Sequence, residues 1–342
     1  MASMDIFTNS AFRTRELSEA INVIPNMWGR IGEIGLFEDK AIRTPQFMVE
    51  AQNGVLQLVQ SSQRAAPMPG MRNPKRNVRP FATRRFAQES RITSDEIDGI
   101  RAFGSESELK QVQTEVNDRL IAVRQNLDIT REYLRAGALR GVVLDADGST
   151  ILDLFTEYGV SQKVVDFTFG TSGVLPAKAA EVKRHIELNL LGDVMTGVHA
   201  LCSPEFWDKL MANADFRDAH KYYTSTVEPL RNDVRRGIPF LGITWEEYLG
   251  SADTPNEDGT WTNRKFIPAG DARFFPLGTR ATFRQFNAPA DYLETVNQPG
   301  LPFYAKTAPD QKWNQYVDVQ GQMNTLPICM RPAVLVRGHS SN

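Results

Sequence analysis

Residues 105–155 read SESELKQVQTEVNDRLIAVRQNLDITREYLRAGALRGVVLDADGSTILDLF, and this stretch decides the fold. Leu109, Val112, Val116, Leu120, Val123, Leu127 and Leu134 recur at spacings of three, four and seven. That spacing lays one apolar stripe along a helix. Ser105 followed by Glu108 makes a capping box at its start. Gly137 and Gly141 bracket its end. At 1.5 Å per residue, a helix over 105–136 is about 48 Å long. Such a helix must lie across a sheet or along a partner. A coiled coil is the competing reading, but the run is short in heptads and Thr130 interrupts the stripe.

The residues after the helix, Gly141-Val-Val-Leu-Asp-Ala-Asp-Gly-Ser-Thr-Ile-Leu-Asp-Leu-Phe155, read as two apolar strands joined by an Asp-Gly turn. A sharper reading competes. An apolar strand ending in Asp-x-Asp-Gly resembles the nucleophile motif of haloacid-dehalogenase-type phosphatases, which would make Asp145 the nucleophile and Asp147 the acid/base. That motif should open a repeated strand–helix fold, and no such alternation follows. A calcium loop would need a bidentate Glu at its twelfth position, and counting from Asp145 that position is Thr156.

Composition removes other classes. With 39 basic against 41 acidic side chains, the formal charge of -2 is not that of a dedicated nucleic-acid binder. At 23% charged residues, the chain is no disordered polyelectrolyte. No apolar run approaches the roughly 18 residues of a membrane span, and Met1 to Thr14 lacks the pattern of a signal peptide. The expected compartment is therefore a reducing cytoplasm, with Cys202 and Cys329 as free, packing thiols.

Outward from the helix, the chain changes character. Residues 1–40 read as an arm with a short helix over Leu17–Ile21. Trp28 and Phe37 there need a surface from elsewhere, since exposed apolar area costs about 25 cal/mol per Å². Residues 51–88 contain no acid and seven bases: Arg64, Arg72, Lys75, Arg76, Arg79, Arg84 and Arg85. Strand-like pieces, Val55–Val59 and Val78–Phe86, flank a Pro/Gly-rich centre. This predicts a long two-stranded excursion, and a lone hairpin is marginal without a partner. A solvated basic loop is the plain alternative, and nucleic-acid binding through the 64–85 basic run, interleaved with Phe81 and Phe86, is the third.

Downstream, the pattern predicts a strand over 160–170, a helix over Ala177–Leu191 opened by Pro176, a strand over Val194–Leu201 and a helix capped by Ser203 running to Asn213. Phe216–Asp233 reads as partly helical. Phe240–Tyr248 reads as one strand, Thr254–Arg264 as a polar turn, and Lys265–Pro268, Arg280–Phe286 and Tyr316–Val319 as further strands. Ile328–Val336 is the final apolar strand, with Pro332 marking an edge or a bulge. His185, His199, His220 and His339 form no zinc helix, and His199 reads as a core residue. There is no Gly-x-Ser-x-Gly and no P-loop. No catalytic, cofactor or metal residue is assigned.

The order of these elements resembles the phage major capsid proteins of the Hong Kong 97-type fold, specifically the lambda-type major capsid protein E family. The likeness rests on two stretches. One runs from Tyr304-Ala-Lys-Thr-Ala-Pro-Asp-Gln-Lys-Trp313 to Leu326-Pro-Ile-Cys-Met-Arg-Pro-Ala-Val334. The other is the long helix ending in Arg140-Gly141 before the Asp-Gly hairpin. The resemblance implies an α+β fold in which 1–40 is an N-terminal arm lying on a neighbour and 41–92 is an extended loop. It implies a peripheral domain from 93–175 with 280–325, including the spine helix, and an axial domain from 176–279 with 326–342. It further implies a major capsid protein, not an enzyme, that self-assembles through hexamers and pentamers into an icosahedral head. Implied partners are other copies of the chain, a portal, a scaffold, possible decoration protein and packaged double-stranded DNA. The expected place is the virion, assembled in the bacterial host cytoplasm, with no membrane. The interface candidates are then Trp28, Phe37 and the seven bases, whose expected acceptors are Asp95, Glu96, Asp98 or the acidic face of the spine helix on the next subunit.

Overall fold

The computed structural model describes residues 13–23, 29–52, 76–93, 96, 108–218, 237–256, 258–310, 312–313 and 315–341, without side chains for 50–52, 76–77 and 108–113. Two compact units divide the chain. One takes Met1–Phe47, Phe81–Glu132 and Gln285–Pro327; the other takes Met48–Pro80, Tyr133–Arg284 and Ile328–Asn342. The expected peripheral and axial domains divide the chain at other residues, since 133–175 fall in the second unit.

The first unit is built on the long helix. Before it come α1 (Thr14–Val23) and α2 (Arg30–Ile34), and the long helix itself is α3 (Glu108–Arg140). It passes straight through Gly137 and stops at Gly141, whose φ of 85° is a left-handed exit. Val116, Leu120, Val123 and Leu127 are buried, as the stripe requires. They face a sheet of β1 (Glu38–Ala41), β14 (Phe283–Asn287), β16 (Tyr316–Cys329) and β15 (Tyr304–Pro309), with β4 (Arg84–Thr93) also paired to β16. The β4–β16 register runs antiparallel from Thr93↔Tyr316 to Arg84↔Thr325.

β16 continues ten residues past the Val319 expected from the pattern. Its middle is polar yet buried, which hides it from an apolar count. Asn324 Nδ2 donates to the Pro289 carbonyl at 2.5 Å, Gln322 Nε2 donates to Asn324 Oδ1 at 3.2 Å, and Gln285 Nε2 donates to Thr325 Oγ1 at 2.9 Å. Buried amides are tolerated when they are bonded in this way. Gly321 sets the helix–sheet distance: a Cβ there would lie 2.4 Å from Val123 Cγ1.

A two-stranded sheet of β2 (Gln46–Gln52) and β3 (Arg76–Ala82) forms the described base of the basic excursion. Val55–Val59 lies outside the described residues, so the pairing seen begins earlier than that stretch.

The second unit carries a six-stranded sheet in the order β7 (Lys163–Asp166), β17 (Val336–His339), β13 (Asp271–Leu277), β8 (Gly197–Cys202), β10 (Ile243–Glu247), β9 (Ile238–Phe240). Helices α5 (Leu175–Asn189) and α6 (Pro204–Ala212) accompany it, and Ser203 Oγ accepts the Phe206 N–H to cap α6. Phe167, Phe169, Phe206, Trp245 and Phe274 form its aromatic core, with neighbouring ring centroids 5.0–6.4 Å apart. Two smaller hairpins complete the unit, β5 (Val142–Leu144) with β6 (Thr150–Asp153) and β11 (Ser251–Pro255) with β12 (Trp261–Lys265); α4 (Leu154–Tyr158) follows β6.

Several expectations change here. Phe240–Tyr248 is not one strand. Leu241 and Gly242 take φ of 55° and 75°, a tight turn that folds β9 back on β10. The polar turn at 254–264 is the hairpin β11–β12, and β12 ends at Lys265. Pro332 sits in a short 3-10 turn, Pro332–Val334, and the strand after it is interior, between β7 and β13. The central strand β13 was not expected at all. It opens with charges and contains Pro276, but β17 ends opposite Phe274, so Pro276 has a strand on one side only.

Gly321→Val should lower the subunit's unfolding free energy by about 1–3 kcal/mol through overpacking against Val123. Gly197→Ala, where an added Cβ meets nothing within 4 Å, should change it by less than about 0.5 kcal/mol. Denaturant midpoints of the unassembled subunits check both.

Candidate subunit interface

The N-terminal segment is held by its own chain wherever it is described. α1 buries Leu17, Ser18 and Ile21. Ser18 Oγ accepts the Ala305 N–H at 3.1 Å, and Asn22 Nδ2 donates to the Phe303 carbonyl at 2.8 Å. The remaining anchors come from charged residues on α3. Arg124, buried, donates to the Ile21 carbonyl at 2.8 Å and to Asp128 Oδ2 at 2.9 Å, with its guanidinium 3.5 Å over the Phe303 ring. Burial draws its pKa down, against the attraction of Asp128.

One turn further, the buried Glu132 carboxylate accepts the Ile31 N–H at 2.6 Å and the Gly32 N–H at 3.1 Å. It thereby caps the open N–H groups of α2. Gly29 makes room for it: with φ of 113°, a Cβ there would lie 2.5 Å from Glu132 Cδ. Arg131 then pairs with Asp39, which also accepts from Asn287 Nδ2 at 3.0 Å.

Of the interface candidates, Phe37 is 7% exposed in the isolated chain and packs within its own subunit. Trp28, Arg64, Arg72 and Lys75 lie outside the described residues, and Arg76 opens β3 without a described side chain. Arg79 stacks over the Tyr158 ring at 4.5 Å. Burial pushes that phenol up to about 12. Arg84 is exposed, while Arg85 pairs with Asp291 of the same chain at 2.9 Å. Of the expected acceptors, Glu96 pairs with Arg119 on α3 of the same chain at 3.1 Å, and Asp95 and Asp98 lie outside the described residues. Of the nine candidates, the structure describes the side chains of Phe37, Arg79, Arg84 and Arg85.

The Asp-x-Asp-Gly segment is a turn. Asp145 Oδ1 accepts the Ala146 N–H at 2.6 Å, and Asp147 Oδ1 accepts the Ser149 N–H at 2.7 Å. The bonds from Ser149 hold Asp147 below the usual carboxylate range, the wrong direction for a general acid. His199 Nε2 sits 3.1 Å from Glu246 Oε2 in the core, and His185 Nε2 lies 2.9 Å from the Ala333 carbonyl. His220 lies outside the described residues. Cys202 and Cys329 are both buried thiols, and burial pushes Cys329 up to about 12. Among the described residues no His, Cys, Asp and Glu group could hold a metal, and no helix is long and apolar enough to cross a membrane.

The family model described as phage major capsid protein E matches residues 13–340. The chain belongs to that family. It is 29% identical to the major capsid protein of Pseudomonas phage KPP10, over 96% of this chain and 97% of that one. It is 28% identical to the major capsid protein of Salmonella phage Felix O1 (isolate Felix O1-VT1), over 78% of this chain and 69% of that one. Among solved structures, the putative capsid protein of a prophage of E. coli CFT073 superposes with a TM-score of 0.56 at 12% identity, covering 96% of this chain and 99% of that one. The fold is thus the Hong Kong 97-type capsid fold, mixed α and β. As a capsid protein E chain, its role is that of a phage major capsid protein, a structural component of the virion. The phosphatase and nucleic-acid readings gain no support from these relatives.

The charged row Arg124, Asp128, Glu132 and Arg135 was missed from sequence, because charges on a helix normally read as its wet face. Opposite charges at spacings of four and three, Arg124 with Asp128 and Glu132 with Arg135, were its signal. Glu132→Ala should remove both acceptors and lower subunit stability by about 2–4 kcal/mol. It should also speed proteolytic cleavage between α1 and β1. Glu132→Gln, which keeps one acceptor oxygen, should fall between. Unchanged cleavage in Glu132→Ala would contradict the anchoring role.

Proposed function

We propose that the chain self-assembles through hexamers and pentamers into the icosahedral head shell that encloses a phage genome. The observation that carries this is the family match running across nearly the whole chain, residues 13–340. On this reading the unit with the six-stranded sheet takes the axial role around each capsomer centre. The unit holding most of the long helix takes the peripheral role. The acid-free excursion of residues 51–88 overlaps a neighbouring copy, and its exposed Arg84 meets a neighbour's acid. Each such exposed pair is worth only about 0–1 kcal/mol, but a symmetric lattice repeats it at every subunit. Portal, scaffold and possible decoration protein complete the particle, packaged double-stranded DNA lies on the inner face, and assembly takes place in the bacterial host cytoplasm. The work asked of the chain is structural, not catalytic.

Purified protein should form capsomers or closed shells visible by negative-stain microscopy. A chain that stays strictly monomeric at high concentration would count heavily against the proposal. Arg84→Glu should reduce particle yield several-fold while leaving the thermal unfolding of the unassembled subunit within about 1 °C, because the Arg84 side chain is exposed and, among the described residues, forms no ion pair.

A further inference from the structure

Two tryptophans lie in water near hairpin turns, Trp261 at 68% exposure and Trp313 at 69%, and their surroundings differ in charge. Trp261 opens β12, directly across from Pro255 on β11. Strand alternation puts Pro255, Trp261, Asp253, Asn263 and Lys265 on one face of this hairpin, and all five are exposed. The opposite face is covered. Thr254 and Thr262 are half-buried there, and Arg264 Nη2 donates to the Asp147 carbonyl in the β5–β6 turn at 2.7 Å.

The turn that carries the Pro255–Trp261 pair is fixed by its own side chains. Asp258 Oδ1 accepts the Thr260 N–H at 3.0 Å and the Thr260 hydroxyl at 2.6 Å. Asn256 Nδ2 donates to Thr260 Oγ1 at 2.8 Å and to Thr262 Oγ1 at 2.9 Å. The bonds from Thr260 hold Asp258 below the usual carboxylate range, so it stays charged. Asp253 Oδ1 accepts Asn263 Nδ2 at 2.7 Å. Among the described residues neither acid forms an ion pair, whereas Lys265, the base on this face, is taken up by Glu205 at 2.8 Å. The result is an exposed apolar pair with two negative charges beside it. Trp313 has the other sign: Lys312 Nζ lies 5.7 Å from its ring, and Asp310 accepts the Lys312 and Trp313 N–H groups at 3.0 and 3.1 Å.

An apolar surface flanked by one sign of charge suits an apolar segment of the opposite sign. The chain contains such a segment. Residues 65–75, between β2 and β3, read AAPMPGMRNPK, with three prolines, two methionines, the bases Arg72 and Lys75, and no acid. Pro-rich segments lose little conformational freedom on docking and favour aromatic surfaces. Met adapts to irregular apolar contacts, and a guanidinium stacks well on indole. Residues 53–75, running out and back at about 3.3 Å per residue, reach at most about 38 Å from the ends of β2 and β3. That exceeds the roughly 30 Å diameter of a small domain and allows contact with a second copy.

We propose that the Pro255–Trp261 face of the β11–β12 hairpin receives residues 65–75 of a neighbouring copy, with Arg72 and Lys75 beside Asp253 and Asp258. This rests on the shell reading above, in which the excursion overlaps a neighbour, and adds where its tip lands.

The test separates this contact from that reading. In particles assembled from equal amounts of Pro69→Cys and Asn263→Cys subunits, mild oxidation should give covalent dimers containing one of each. Pro69→Cys mixed with Trp313→Cys should give none. The native thiols Cys202 and Cys329 are buried and do not compete. Particles that form without the Pro69–Asn263 dimer overturn the proposal and leave the shell reading standing. If the Cys variants do not assemble, a fluorescent peptide of residues 62–76 decides, titrated onto the unassembled full-length subunit. It should bind saturably, Trp261→Ala should weaken it at least about tenfold, and Trp313→Ala should leave it unchanged. No saturable binding, or equal binding by Trp261→Ala, overturns the docking site. Should the unaltered chain form no particles either, the shell reading fails, and the peptide still tests the face.

Discussion

A carboxylate buried in protein must be met by donors, and at Glu132 the donors are two backbone N–H groups of a segment a hundred residues away in sequence. That requirement organises the first unit. A five-residue helix such as α2 has almost no stability of its own, because helix nucleation is unfavourable. It persists because Glu132 occupies its N-terminus, where the unmet N–H groups and the peptide dipoles both favour a negative charge. Gly29 is the complementary condition, since any side chain there would collide with the carboxylate. The N-terminal segment, the long helix and the strand carrying Ala305 are thereby tied into one unit.

The long helix works on two faces of different chemistry. Its apolar stripe lies on a strand whose Gly321 allows close approach, and burial of that stripe supplies the bulk of the stabilisation. Its charged row adds selectivity. An apolar arm could dock on any apolar surface, whereas Ile21, Ile31 and Asp39 are met by Arg124, Glu132 and Arg131 in a fixed order along the helix axis. Replacing such ion pairs with apolar residues often leaves stability unchanged or improved. Their contribution here is to fix the register of the arm on the helix.

Periodicity made much of the fold legible. The stripe from Val116 to Leu127, the Asp-Gly hairpin, the Ser203 cap and the Pro176 helix start are local signals, and each corresponds to an element of the structure. What could not be read was produced by long-range compensation. β13 contains a buried Asp271–Arg273 pair and a proline, both of which argue against a central strand until Arg337 and the early end of β17 are known. The second half of β16 hides behind amides that are bonded only after the chain folds. For the candidate interface, the acid-free run from 51 to 88 was visible as composition. The internal partner of Arg85, however, is Asp291, some two hundred residues away, and no spacing rule reaches it.

Near-neutral net charge therefore conceals a division of labour. Part of the basic excess is neutralised inside the subunit, by Asp291 for Arg85 and by Asp318 for Arg91, the latter at 2.8 Å. The Arg91–Asp318 pair braces the strand β4 against β16, and the Arg85–Asp291 pair ties the start of β4 to the segment after β14. On the proposed overlap with a neighbouring copy, bracing the root of such an extension lowers the conformational entropy lost on contact, because fewer residues remain to be ordered. A chain that works in this way needs well-determined surfaces at fixed positions, and it can show few local sequence motifs because those surfaces are assembled from distant residues.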